Sequence, residues 1–351
     1  MKVPSTFRSL ALASLALTFI PLPNATAETT MRTVGNYSST RKQIEVESAF
    51  FESLSKNSGV PLKTTYAPMD QLGIQASDGL RLLKSGAFDV MSIQMGQVSR
   101  DDPFLEGIDL VGVSTDLQQL RTVVDAYRDV LDKRLQEKFQ VKILTLWPYG
   151  PQVFFCNKEI KSLADFKGLK VRSFTPSMSE LIQDLGATPV TMGFPDVYPS
   201  LQRGVINCGV TSPTSGNTGK WPEVTTHFLP LAVTNSMQGN FVNLKHWKKY
   251  TPEQQQKLEA EFKKLEDSMW GLASTANADA ANCNVGEASC KDHAKFNMKL
   301  VQVSPEDQAT LKSAVSRIVL PLWQQNCDRV TATCSSSWNE TVGKVSGFKI
   351  Q

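Results

Sequence analysis

The sequence predicts an α/β protein of two lobes, joined by strand crossovers and spanned by one long helix. Three observations predict it. β-type runs alternate with helical periods from residue 31 onward. A cluster of proline, glycine and aromatics, Trp147-Pro148-Tyr149-Gly150-Pro151, interrupts that alternation. An apolar stripe at helical spacing opens at residue 252 and runs on for about thirty residues, longer than a globular helix usually is.

The chain opens with Lys2 and Arg8, an apolar run over residues 10–20, and Ala25-Thr26-Ala27 before Glu28. That order reads as a secretory signal peptide over residues 1–27, too short and wrongly flanked for a membrane span. Cleavage after Ala27 takes 27 of the 351 residues and leaves 324. It also lowers the formal net charge from +3 to +1, because Lys2 and Arg8 are the only charged residues removed. The mature chain is expected to be exported and soluble, with no direct membrane insertion, since no later stretch approaches 18 apolar residues. Its near-balanced charge gives no footprint for nucleic acid or an anionic membrane. A chain of this length can bury two cores.

In the first lobe, a strand at residues 31–34 runs into Gly35-Asn36-Tyr37-Ser38-Ser39-Thr40. A helix follows over about 41–55, with Ile44, Phe50, Phe51 and Leu54 on its apolar face and Gly59 beyond its end. Strand 62–66, a helix over about 74–84 and strand 88–93, ending at Gln94-Met95-Gly96, continue the alternation expected of a mainly parallel sheet. Asp116 is a suitable cap for a helix to about residue 137, and strand 141–146 leads to the crossover. In the second lobe, strand 152–156 precedes a capping box at Ser162 and Asp165. Helices starting at Thr175-Pro176 and Pro195 are closed by Gly186 and Gly204, and strand 205–210 follows. A strand at 237–244 returns to the first lobe. Thr251-Pro252-Glu253-Gln254 then starts the long helix, whose stripe of Leu258, Phe262, Leu265, Met269 and Leu272 continues to about residue 282. At ~1.5 Å per residue that helix spans on the order of 45 Å, enough to lie across both lobes. Residues 28–150 with about 236–276 are expected to form lobe I, and residues 151–235 with about 277–351 lobe II.

All six cysteines follow the signal segment, and an even count in an exported chain favours disulfides. Cys283–Cys290 and Cys327–Cys334 would each close a small loop, which leaves Cys156–Cys208. Fifteen pairings are open to six cysteines, and only the economy of short loops supports this one. No C-x-x-C occurs, and His227, His246 and His293 are isolated, so neither metal nor cofactor is expected.

Enzyme signatures are missing: there is no G-x-S-x-G, no G-x-G-x-x-G after a strand, and no G-x-x-x-x-G-K-[ST]. Gly216 to Lys220 has the wrong spacing for a phosphate loop. An Asp/Glu pair working as a hydrolase stays open. Arg172 ends the strand run Leu169-Lys170-Val171 just before a helix, the place where α/β sheets grip ligands. Read alone, it either pairs with a local acid on the surface or clamps a carboxylate or phosphate with its planar fork.

Three blocks change that balance. They are Phe166-Lys167-Gly168-Leu169-Lys170-Val171-Arg172, Leu185-Gly186-Ala187-Thr188-Pro189-Val190-x-Met192, and Phe194-x-x-Val197-Tyr198-x-x-Leu201-Gln202-x-Gly204-Val205-Ile206-Asn207. With Gln71-Leu72-Gly73, Leu83-Lys84-Ser85-Gly86-x-x-Asp89 and the long helix, the chain resembles the substrate-binding proteins of tripartite ATP-independent periplasmic (TRAP) transporters, the DctP-like family. The resemblance implies the two-lobed periplasmic binding protein fold, closing its cleft on a small organic acid and delivering the acid to membrane permease subunits. It also implies a periplasmic location. A ligand-binding partner of a sensor protein would read the same way.

By the same resemblance, Arg172 forms the salt bridge to the ligand carboxylate. Other polar positions of the family's sialic-acid type are changed, two of them with loss of charge: its second arginine corresponds to Gln152, a glutamate to Gln94, and a neutral asparagine to Thr211. Phe194 matches an aromatic of the family's pocket, and Asn36, Tyr37 and Thr40 lie where the family places polar contacts. Strand alternation puts Phe154 on the face of Gln152, while Trp147 and Tyr149 sit at the crossover. Each aromatic either lines the pocket or packs as core. One arginine among uncharged groups and aromatics points to a monocarboxylate with an apolar or aromatic body.

Overall fold

The computed structural model describes Met1 and residues 28–351, so the expected signal segment and its cleavage site lie outside the described residues. Among these residues twelve strands form two sheets. In chain order they are β1 (Thr29–Gly35), β2 (Leu62–Pro68), β3 (Val90–Gln94), β4 (Val141–Ile143), β5 (Trp147–Pro148), β6 (Val153–Cys156), β7 (Lys170–Ser173), β8 (Thr188–Thr191), β9 (Cys208–Thr211), β10 (His227–Leu229), β11 (Met237–Asn243) and β12 (Lys299–Leu300).

The first sheet has the order β2-β1-β3-β11-β4, with β5 paired to β11; the second has the order β12-β10-β6-β9-β7-β8. The alternation suggested a mainly parallel arrangement, and all strands of each sheet but one share a direction. Each carries one reversed strand: β11 runs antiparallel to β3 and β4, and β6 antiparallel to β9 and β10. The reason is the route of the chain. Strands reached through a helix point their C-terminal ends at the other lobe, whereas β6 and β11 come straight from that lobe and so begin where the others end. A ligand cleft at this junction therefore meets strand ends of one kind and strand starts of the other.

Among the described residues, the helices that flank or bridge the sheets around the site include α1 (Arg41–Ser58), α2 (Gly79–Ser85), α3 (Leu117–Phe139), α4 (Pro176–Asp184), α5 (Val197–Gln202), α6 (Pro213–Thr218) and α7 (Pro252–Asn284). Their ends are set by local chemistry. Gly59, at φ 66°, takes the left-handed conformation that closes α1. Asp116 caps α3 by accepting from Gln119 N, and Thr175 caps α4 by accepting from Met178 N. The helix expected over 74–84 is shorter, because residues Ala76–Asp78 tighten into a 3-10 turn before α2.

The capping box of Thr251 and Gln254 starts α7, whose 33 residues extend about 50 Å at ~1.5 Å each. Its first half buries Leu258, Phe262, Leu265 and Met269 against Phe51 of α1 and Trp147. Its second half meets α6: Asn277 Oδ1 accepts from Thr214 N at 3.1 Å, and Asn284 Nδ2 donates to Pro213 O at 3.3 Å. The helix thus bridges the lobes. Further along, Trp323 and Trp338 donate through their indole nitrogens to Pro103 O and Gly107 O, which pins the C-terminal helices on the segment Pro103–Ile108. Three disulfides join Cys156 to Cys208, Cys283 to Cys290 and Cys327 to Cys334. The first links directly opposed residues of β6 and β9. No described helix is long and apolar enough to cross a membrane.

Candidate functional site

The two crossing segments pair with each other between the lobes. Tyr149 N and Gly150 N donate to Ser236 O and Asn235 O, both at 3.1 Å, and Gln152 N donates to Thr234 O at 2.7 Å. Around this hinge the strand ends converge on one cavity. Asn36 and Tyr37 come from the turn after β1, Gln94 from the end of β3, Arg172 from β7, Thr211 from the end of β9, and Phe194 from the turn before α5; Gln152 precedes β6. The space is small, about 30 Å³ open to the centres of water-sized spheres, roughly two to three times what one water needs.

Arg172 is buried, at 2% exposure, and no acidic side chain lies within salt-bridge distance of it among the described residues. Its Nη1 donates to Val210 O at 2.6 Å and its Nε to Met192 O at 3.3 Å. The ring of Phe174 lies 4.5 Å from its guanidinium carbon. Burial pulls the guanidinium down to about 9, with Tyr37 opposing that shift. It is still protonated at neutral pH. A buried cation held only by main-chain carbonyls and an aromatic ring has its charge uncompensated, and an incoming anion would compensate it.

The other polar groups are mostly paired with one another. Gln94 donates to Ser236 Oγ and accepts from Gln97 Nε2, and Gln152 Nε2 donates to Gly150 O at 2.8 Å. Tyr37 accepts from Ala76 N at 3.3 Å, and burial raises its hydroxyl above the usual tyrosine range. Asn36 donates through Nδ2 to Glu47 at 3.2 Å and accepts from Tyr149 and Gln238.

Two expected residues are elsewhere. Phe154 is 1% exposed and packs edge-on against Phe166. Gln152 lies before β6 in the crossing segment, so the alternation of the strand does not carry its orientation to residue 154. Trp147 is also 1% exposed and packs against Tyr149 and the apolar cluster beneath α7. Tyr149 reaches the cavity in its place. Sequence reasoning missed Phe174, which lies just beyond β7 and sets its ring over the Arg172 guanidinium. It also missed Met69, Ala76, Gln97, Ser215, Ser236 and Gln238. Ser236 and Gln238 arrive by the return crossing, and Ser236 adopts φ 59° there, which the sequence does not announce.

Two carboxylates, the buried Glu106 and the half-buried Asp109, sit beside the cavity and not in it. Glu106 accepts from Ser177 N at 2.9 Å, at the N-terminus of α4. Asp109 accepts from Asn235 N and Met237 N at 3.3 and 3.1 Å, on the return crossing. Burial raises both carboxyls, Asp109 to about 7. The lining of the Arg172 cavity holds no carboxylate among the described residues.

The family model for bacterial extracellular solute-binding protein, family 7, matches residues 35–326. The C4-dicarboxylate-binding periplasmic protein of Rhodobacter capsulatus is 26% identical over 244 residues, 62% of this chain and 71% of that protein. The sialic acid-binding periplasmic protein of Vibrio cholerae is 30% identical over 159 residues; the match spans 44% of this chain and about half, 49%, of that protein's length. Among solved structures, a Bordetella pertussis extracytoplasmic solute receptor binding pyroglutamic acid aligns with a TM-score of 0.78 and 17% identity, covering 89% of this chain and 99% of that one. A TRAP periplasmic solute-binding protein from Desulfovibrio salexigens with bound orotic acid aligns with a TM-score of 0.80 and 15% identity, covering 91% and 100%.

Proposed function

From the premise that the chain belongs to the bacterial extracellular solute-binding proteins of family 7, we propose that this TRAP-type solute receptor takes a small monocarboxylate with an otherwise uncharged body, and hands it to the membrane permease subunits of its transporter. One observation carries the reading. Arg172 is a buried guanidinium without an acidic partner among the described residues, facing a cavity whose other lining residues are neutral. One carboxylate satisfies that charge, whereas a second would find no cation.

Pyroglutamic and orotic acids, bound by the structurally similar receptors, each carry one carboxylate on a small ring. A hydrolytic pair has no member beside Arg172, and Glu106 and Asp109 are occupied by main-chain N–H groups. We place the receptor in the periplasm, reached through the N-terminal signal segment. The test is a thermal-shift screen of purified protein, stripped of carried-over ligand by unfolding and refolding, against mono- and dicarboxylates. A ligand at a hundred times its Kd adds about 2.7 kcal/mol of stability. Stabilisation by monocarboxylates with no product after incubation is expected. A response confined to dicarboxylates, or to none, would overturn the reading.

A further inference from the structure

Gln238, on β11, faces the Arg172 cavity from the opposite sheet. It is 1% exposed, and its Oε1 has no hydrogen-bond partner. The direction of that oxygen follows from a chain of hydrogen bonds that begins at Glu47, a fully buried carboxylate in α1. Glu47 accepts from Asn36 N and Nδ2, from the hydroxyls of Tyr66 and Ser92, and from Asn240 Nδ2. Each neighbour is a donor, so the amide nitrogen of Asn36 must face Glu47 and its oxygen must face away.

Asn36 Oδ1 then accepts from the hydroxyl of Tyr149 and from Gln238 Nε2, the latter at 3.0 Å, which uses both lone pairs. Turning the Gln238 amide over would set two carbonyl oxygens against each other. Gln238 is therefore locked with its nitrogen toward Asn36 and its oxygen free. A buried acceptor left without a donor is costly, and sites built around such a group discriminate strongly against ligands that cannot complete it.

We propose that Gln238 is a specificity-determining residue of the site, accepting a hydrogen bond from an N–H or O–H on the body of the bound monocarboxylate, with Glu47 and Asn36 as positioning residues that fix its polarity. The inference rests on the carboxylate reading above and narrows it. Hydroxy acids and acids with a ring or amide N–H fit the site. Plain aliphatic, aromatic and 2-oxo acids leave Gln238 Oε1 unpaired.

The test needs no variant at first. Calorimetric affinities of the unmodified protein are compared for matched acids: 2-hydroxyisovalerate against isovalerate and 2-oxoisovalerate, and 5-oxopyrrolidine-2-carboxylate against its N-methyl form. A preference of on the order of tenfold or more for the donor-bearing member of at least one set is expected, and Gln238→Met should erase it. Equal binding within each set, abolished by Arg172→Ala, would overturn the role of Gln238 and leave the carboxylate reading standing. If no acid responds to Arg172→Ala, both fail. An acid without an N–H or O–H donor, identified by mass spectrometry in the protein as purified, would also overturn the role of Gln238.

Discussion

Phe174, the first residue past β7, carries its ring 4.5 Å from the guanidinium carbon of Arg172. The pairing solves a problem the cavity creates. A guanidinium removed from water and given no carboxylate needs its plane held for the incoming anion, and the ring face does that while contributing its own attraction to the cation. Phe174→Leu should weaken binding of the cognate acid about tenfold, as measured by calorimetry, because cation–π contacts of desolvated groups are worth about 1–2 kcal/mol. Affinity within twofold of the parent protein would mean that the ring is only packing.

Phe154 and Trp147 make the opposite case. Both are buried in apolar clusters away from the cavity. Phe154→Leu and Trp147→Phe should each lower the melting temperature, at a cost of about 1 kcal/mol or more, and leave ligand affinity within about twofold. A clear loss of affinity at constant stability would return either residue to the site.

Asp109 should make the stability of the folded chain depend on pH. Burial lifts its carboxyl to about 7, against an ordinary unfolded value of about 4. The folded chain therefore holds the proton more tightly than the unfolded chain. The contribution to stability is full below about pH 4 and is lost as the pH rises through about 7. Unfolding free energies from denaturant titrations should fall across that window, and Asp109→Asn should flatten the fall. Parallel curves for the two proteins would contradict the assignment. Glu106, raised in the same direction, leaves a smaller slope of the same sign in the variant.

The Cys156–Cys208 disulfide closes a loop of 52 residues, whereas the other two each close 7. Loop-closure entropy gives roughly 4 kcal/mol for the long tie and roughly 2–2.5 for a short one. Replacing Cys156 and Cys208 by alanine should destabilise the protein more than replacing Cys327 and Cys334, as read from chemical denaturation of each pair variant. The reverse order would show that the terminal loop, which bears on the helices around Trp338, matters more than chain entropy.

Much of the fold was legible because its signals are local. The cap at Asp116, the capping box at Thr251 and the glycine closing α1 are each decided within a few residues, and the stripe on α7 repeats over many turns. The reversed strands were not legible, since their direction depends on which lobe the chain has just left. Around the cavity the same division holds. Arg172 stands at a strand end within a recognisable block, and Gln94, Gln152 and Thr211 could be placed beside it by correspondence. Phe154 was misplaced because the strand begins one residue after Gln152. Gln238 was invisible: its orientation comes from a network of Glu47, Asn36 and Tyr149, joined only in three dimensions.

A clamp in which Arg172 holds one carboxylate with both arms of its fork is tested most directly by the affinity of the Arg172→Lys protein for the acid that the parent protein binds best. Lysine keeps the charge but cannot present two parallel donors. A loss of at least tenfold is expected, since hydrogen bonds to charged groups are worth about 1.5–3 kcal/mol. An affinity within about twofold of the parent protein would contradict the clamp.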